Sequence, residues 1–170
     1  MRGLEPSIRE ERSRIIQQKL LSSEEFRASK TVMTYVSLPS EVDTVLLNTE
    51  ALKRGKRVAV PYVDTDNQTI IAAELISMDR LARGPLGIYQ PEDGLARAVA
   101  LKEIDLVVVP AIAFDKKNMR LGRGKGYYDR FLSCSDLSSA KTIGLAFSTQ
   151  IVDLLPSDPH DRPVTRVITD

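Results

Sequence analysis

The chain is predicted to fold as an α/β layered sheet, and three features say so. Short, almost wholly apolar runs rich in β-branched residues recur at 31–36, 57–60 and 106–110. Helical stretches stand between them, and Gly and Pro punctuate each change of period. A strand apolar on both faces must be covered on both, and crossover helices supply that cover while joining parallel neighbours. The length of 170 residues, 42% of them hydrophobic, suits one domain with a sizeable core. There is no internal repeat, low-complexity tract or linker.

Taken in order, residues 9–21 are rich in Arg, Glu, Gln and Lys, with Ile8, Ile15, Ile16, Leu20 and Leu21 falling roughly on one helical face. Thr31-Val-Met-Thr-Tyr-Val36 reads as a buried strand closed by Ser37-Leu-Pro-Ser40. Thr44 is placed to cap a helix through Leu52, and Gly55 to stop it. Arg57-Val-Ala-Val60 is the next strand, expected to end at Pro61, and 69–75 another. Gly84-Pro-Leu-Gly87 and Pro91-Glu-Asp-Gly94 predict a surface excursion rich in turns. Leu106-Val-Val-Val-Pro110 has the pattern of a central parallel strand, 127–132 of a helix, and 142–147 and 166–169 of two final strands.

Composition removes several classes of function. With 24 Lys plus Arg against 23 Asp plus Glu, the net charge of +1 gives no global grip on nucleic acid or an anionic membrane. No apolar run approaches the roughly 18 residues that span a bilayer, and residues 1–11 do not resemble a signal peptide, so a soluble cytoplasmic protein is expected, with monomer as the default. One cysteine, Cys134, forms no internal disulfide, and one histidine, His160, rules out the usual Cys/His zinc sets. A Ser-His-Asp or Cys-His-Asn team would need His160 as its base.

Chemistry concentrates in Phe114-Asp-Lys-Lys-Asn-Met-Arg-Leu-Gly-Arg-Gly-Lys-Gly-Tyr-Tyr-Asp-Arg130, which follows the central strand. Ligands of open α/β sheets bind beyond the carboxyl ends of strands, where this segment must emerge. From Arg120 to Arg130 there are four cations and one anion, a local +3, and Gly122, Gly124 and Gly126 allow backbone N–H groups to turn toward a ligand. Such a loop suits phosphate. It is neither a P-loop, because Lys125 is followed by Gly126, nor the dinucleotide fingerprint, because the third glycine comes one residue early. The same composition also fits a solvated surface loop. Asp129 beside phosphates makes sense with a hard cation such as Mg²⁺ between them, or as a first-turn helix acid. Tyr127 and Tyr128 could stack on a planar ring or pack on the core.

Arg120-Leu-Gly-Arg-Gly-Lys-Gly-Tyr-Tyr-Asp129 resembles the signature of the 5-formyltetrahydrofolate cyclo-ligase (methenyltetrahydrofolate synthetase) family. Ser37-Leu-Pro-Ser-Glu-Val-Asp-Thr44, Val58-Ala-Val-Pro61, Gly87-Ile88 with Pro91, Val109-Pro110 with Phe114-Asp115, and Pro159-His-Asp161 follow in the family's order, so the likeness spans nearly the whole chain. It implies a single three-layer domain over 1–170 with a mostly parallel central sheet flanked by helices. It further implies an ATP-dependent, Mg²⁺-requiring closure of 5-formyltetrahydrofolate to 5,10-methenyltetrahydrofolate, giving ADP and phosphate. By the same resemblance the nucleotide site falls on Arg120, Leu121, Gly122, Arg123, Gly124, Lys125, Gly126, Tyr127 and Tyr128. Folate contacts fall on Val36 and Glu41 together with Arg123, Gly124, Lys125, Gly126 and Tyr127, and metal-associated acids on Asp129 and Asp161.

The implied chemistry needs no protein nucleophile. ATP phosphorylates the formyl oxygen to an iminium phosphate, N10 adds, and phosphate leaves; Arg120, Arg123 and Lys125 are then catalytic as neutralisers of phosphate charge. A carboxylate at Glu41 matches the paired donors of a pterin, while a solvated loop acid or a local cap is the plainer reading. For Val36 a strand-end residue, with any folate contact incidental, is the plainer reading. Family members usually begin with a further helix bearing a Lys and an Arg one turn apart; Met1-Arg-Gly-Leu-Glu-Pro6 aligns with the loop after it, and Arg2 is the only candidate substitute. That departure keeps a second reading open, a catalytically weak folate- or nucleotide-binding paralogue, and a third, a sugar-phosphate enzyme of similar architecture.

Overall fold

The computed structural model describes residues 5–156, 158 and 161–170. Helix α1 (Pro6–Leu21) and short α2 (Glu24–Ala28) precede strand β1 (Thr31–Met33); α3 (Val45–Lys53) leads to β2 (Arg57–Asp64), which turns back into β3 (Thr69–Glu74). A hairpin follows, β4 (Leu81–Arg83) and β5 (Tyr89–Pro91), then β6 (Leu106–Val109), β7 (Ala113–Asp115) and β8 (Arg120–Leu121). Helix α4 (Tyr127–Leu132), β9 (Lys141–Leu145), β10 (Ile151–Val152) and β11 (Arg166–Ile168) complete the order.

The main sheet runs β11-β9-β6-β1-β2-β3, parallel throughout except for the β2–β3 edge. Alternation along β6 shows why its four residues are all apolar. Leu106 and Val108 join Ile16, Leu20, Phe26, Leu47 and Val32 on one face, whereas Val107 and Val109 join Met33, Phe114, Phe131 and Leu137 on the other. Helices α1 to α3 therefore cover one side. The other is covered by α4 and a small sheet ordered β10-β7-β8, so one of the two outer layers is a mixture and not helices alone.

Several local expectations are corrected. Pro61 does not end its strand: β2 continues to Asp64, because past the end of β1 the side of β2 to which Pro61 turns carries no ladder bond for a missing N–H to break. Ile8 is 42% exposed and Ile15 half-buried; Ser13 and Gln17 take the inward face of α1 instead, receiving the amides of Asp43 at 3.1 Å and Leu47 at 2.9 Å. Gly55 does stop α3, in left-handed backbone, with Gly55 N donating to Leu52 O and Lys56 N to Ala51 O, the Schellman pattern. The excursion after β3 is an ordered hairpin whose tip, Leu86 and Ile88, faces the cleft described below. Among the described residues no helix is long and apolar enough to cross a membrane.

Candidate active site

A cleft of about 580 Å³ opens beyond the carboxyl ends of β1 and β6. The chain leaves β1 toward β2 on one side, while β6 lies on the other, so this is the switch point at which neighbouring loops diverge and leave room for a ligand. One wall is the loop after β1, with Tyr35, Val36, Leu38 and Glu41; the opposite wall is the segment from Arg120 to Asp129. All nine nucleotide-site positions expected from the sequence line it, as do Val36, Glu41, Asp129 and Asp161.

The glycine-rich segment is built by a small hairpin and a helix start. Asp115 is buried and holds the turn: Oδ1 accepts the amides of Lys117 at 2.8 Å and Met119 at 2.9 Å, and Oδ2 that of Leu155 at 3.1 Å. Burial pushes its carboxyl up, and these donors outweigh that and hold it below the usual carboxylate range. Gly124 and Gly126 take left-handed φ of +78° and +66°, the second at the N-cap of α4. Arg130 fastens the loop: Nε and Nη2 donate to the carbonyl of Gln68 at 3.0 and 2.7 Å, Nη2 also to that of Lys125 at 3.1 Å, and the guanidinium lies over the Tyr127 ring.

The three expected cations differ in kind. The Arg120 side chain is only 5% exposed, ion-paired with Asp129 and set over the Tyr128 ring, and its Nε has no partner. Lys125 is exposed on the cleft wall. Arg123 reaches across: its Nη2 donates to Ser40 Oγ at 2.9 Å and stands 3.6 Å from Glu41 Oε1. Glu41 is mostly buried, and Oε2 accepts the Leu38 amide at 2.9 Å, so the local cap is present alongside the cleft-facing position. Burial raises the Glu41 carboxyl above its ordinary value, with Leu38 and Arg123 partly offsetting it. Tyr128 is likewise raised by burial, and its hydroxyl has no partner. Both tyrosines line the cleft; Tyr128 also packs on the core, and the Tyr127 ring lies under the Arg130 guanidinium.

Asp129, Asp158 and Asp161 give the cleft hard oxygen donors, although the Asp161 Oδ2 accepts the Asp158 amide and Asp129 is already paired with Arg120. Among the described residues no three such side chains converge into a cation cage. Asp129, Asp158 and Asp161 on the cleft lining are the kind of carboxylate that Mg²⁺ takes, one or two at a time, beside phosphate oxygens. His160 and Arg2 lie outside the described residues. Leu86 and Ile112 in the cleft were not foreseen, because isolated apolar residues in turns have no period to mark them, and Ile88 was noted only as part of the family likeness. Arg130 was visible in the motif, but its clamp on Gln68 spans 62 positions and no local pattern announces it.

A family model for the 5-formyltetrahydrofolate cyclo-ligase family matches residues 2–170. The 5-formyltetrahydrofolate cyclo-ligase of Mus musculus is 33% identical, covering 99% of this chain and 87% of its own. A mitochondrial 5-formyltetrahydrofolate cyclo-ligase of Arabidopsis thaliana is 30% identical over 99% of this chain and 69% of its own. Among solved structures, the 5,10-methenyltetrahydrofolate synthetase of Aquifex aeolicus superposes with a TM-score of 0.82 at 34% identity, covering 98% of this chain and 81% of that one. That of Mycoplasma pneumoniae gives 0.74 at 26% identity, covering 98% and 89%. With the signature on one cleft wall and the fold shared from end to end, the chain is a member of an enzyme family, the 5-formyltetrahydrofolate cyclo-ligases.

Proposed function

We propose that the protein closes 5-formyltetrahydrofolate to 5,10-methenyltetrahydrofolate at the expense of ATP, and that it does so in this cleft as a soluble cytoplasmic monomer. One observation carries the reading: the phosphate-suited loop and the Glu41 loop face each other across a single cavity, close enough for Arg123 to span it. A formamide oxygen leaves poorly as hydroxide. Transfer of the γ-phosphoryl group to that oxygen breaks the bond to ADP and makes the carbon an iminium electrophile. N10 then adds to this carbon and gives up its proton, and the oxygen departs as phosphate. Neither step needs a protein nucleophile, which suits a site whose side chains are cations, acids and tyrosines.

Lys125 and Arg123 are assigned to the triphosphate, with the N–H groups of Gly122, Gly124 and Gly126 around them. Arg120 is assigned to phosphate charge from a deeper position; its pairing with Asp129 fixes the direction of its guanidinium. Asp129 and Asp161 would hold Mg²⁺, which when bound screens the phosphate oxygens. Glu41 is assigned to the 2-amino and ring N–H donors of the pterin, Val36 and Tyr127 to its flanks. Mixing protein, 5-formyltetrahydrofolate, ATP and Mg²⁺ should give methenyl absorbance and ADP in equal amounts. Binding of both substrates with neither signal would replace the ligase with a sequestering protein, and competition by sugar phosphates would point to the third class.

A further inference from the structure

We infer that Thr44 and Asn48 are positioning residues for the folate side of the cleft, because together they pin the carbonyl of Tyr35 and so set where Val36 and Glu41 stand. The inference rests on the proposed function and deepens it. As the chain leaves β1, the Tyr35 carbonyl accepts from Thr44 Oγ1 at 2.6 Å and from Asn48 Nδ2 at 3.2 Å. Both donors are inaccessible, with Thr44 1% and Asn48 0% exposed. The Thr34 hydroxyl donates to Asn48 Oδ1, which leaves the amide nitrogen to face the carbonyl.

Helix α3 explains neither residue. Thr44 holds the N-cap position, where a hydroxyl ordinarily accepts from an amide of the first turn, yet it makes no such bond. Asp43 does that work, its Oδ1 accepting the Val45 amide at 3.0 Å. Asn48 sits within the helix, where asparagine is a poor former and leucine would serve both helix and core. Residues that break a local rule tend to serve a site. The far end of the loop is tied as well: Tyr35 Oη donates to Val42 O at 3.1 Å, and Asp43 N to Ser13 Oγ at 3.1 Å. Residues 36–43 are thus held at both ends, with Glu41 between, and the opposite wall meets them through Arg123 at Ser40 and Glu41, not at the pinned ends.

Thr44→Val removes the hydroxyl at nearly constant volume, and Thr44→Ser keeps it. Thr44→Val should raise the KM for 5-formyltetrahydrofolate about five- to tenfold while the KM for ATP stays within about twofold, the scale of one lost buried hydrogen bond. Thr44→Ser should restore wild-type values. The double variant Thr34→Val with Asn48→Leu, an apolar replacement of the buried pair, should repeat the split with a cooperative melt, and decides the matter if Thr44→Val does not fold. An unchanged folate KM, equal rises in both constants, or a Thr44→Ser protein as impaired as Thr44→Val would overturn the inference. If the wild type itself gives no turnover, the proposed function has failed; calorimetric titration with 5-formyltetrahydrofolate, Thr44→Val against wild type, then tests the pin alone, with equal affinities overturning it.

Discussion

Lys125 and Arg120 carry the same charge on the same loop, and substitution should tell them apart. Lys125 is exposed and without a carboxylate partner in the described residues, so Lys125→Ala should cost about 10²- to 10³-fold in turnover with little change in the thermal midpoint. Arg120 is buried against Asp129, so Arg120→Ala should lower both activity and stability, the latter by about 3 kcal/mol, the low end for breaking a buried pair, since Asp129 remains 24% exposed to water. Denaturant titration beside steady-state kinetics separates the two outcomes; parallel behaviour of the variants would refute the distinction. Glu41 adds a dependence on pH. Burial raises its folded carboxyl above the unfolded value of about 4.3, so this group favours the folded state at low pH and loses that contribution as pH rises through the raised value. The proposed pairing of Glu41 with the pterin requires the ionised form and runs the other way: folate KM should climb as pH falls through the raised value, and Glu41→Gln should flatten that climb. At this scale the sequence carried the identity of the charged residues but not their pairing, because Arg120–Asp129 and Arg123–Glu41 are settled by packing across 9 and 82 positions.

The elements obey their local chemistry where period and caps agree. Helix α4 matches its expected span, and α3 misses by a residue at its end, each bounded by a glycine in left-handed backbone. Elements too short to show a period, such as α2, β7, β8 and β10, were not legible; their existence follows from pairing with neighbours. Glycine positions sharpen this into predictions. A Cβ at Gly144 in β9 would press into the Phe114 ring, which is itself fully buried, so Gly144→Ala should destabilise by about 1–3 kcal/mol without touching the cleft. Gly124 has open space around it but φ of +78°, so Gly124→Ala should cost about 1–2 kcal/mol of local backbone strain, with nucleotide KM rising more than the global melt falls. A Gly124→Ala protein with an unchanged nucleotide KM would contradict the reading of a loop built for contact.

Over the whole molecule, parallel strands and their crossovers create the cleft before any catalytic residue is considered. The switch between β1 and β6 opens the space, β2 and the β4–β5 hairpin close one side, and the glycine-rich loop closes another. The fold class and the location of that loop could be read from apolar runs and the emergence of a cationic segment after the central strand. The antiparallel β3 edge and the small second sheet could not, since direction and pairing depend on what each run meets in space. The central claim is that the loop from Arg120 to Tyr128 receives the triphosphate of ATP. Backbone amide resonances followed during titration with a non-hydrolysable ATP analogue and Mg²⁺ test it most directly. Saturable shifts centred on Gly122, Gly124, Lys125 and Gly126 are predicted, whereas an unmoved loop with shifts clustered at the opposite, amino-terminal edge of the sheet around Lys102 and Lys141 would contradict it.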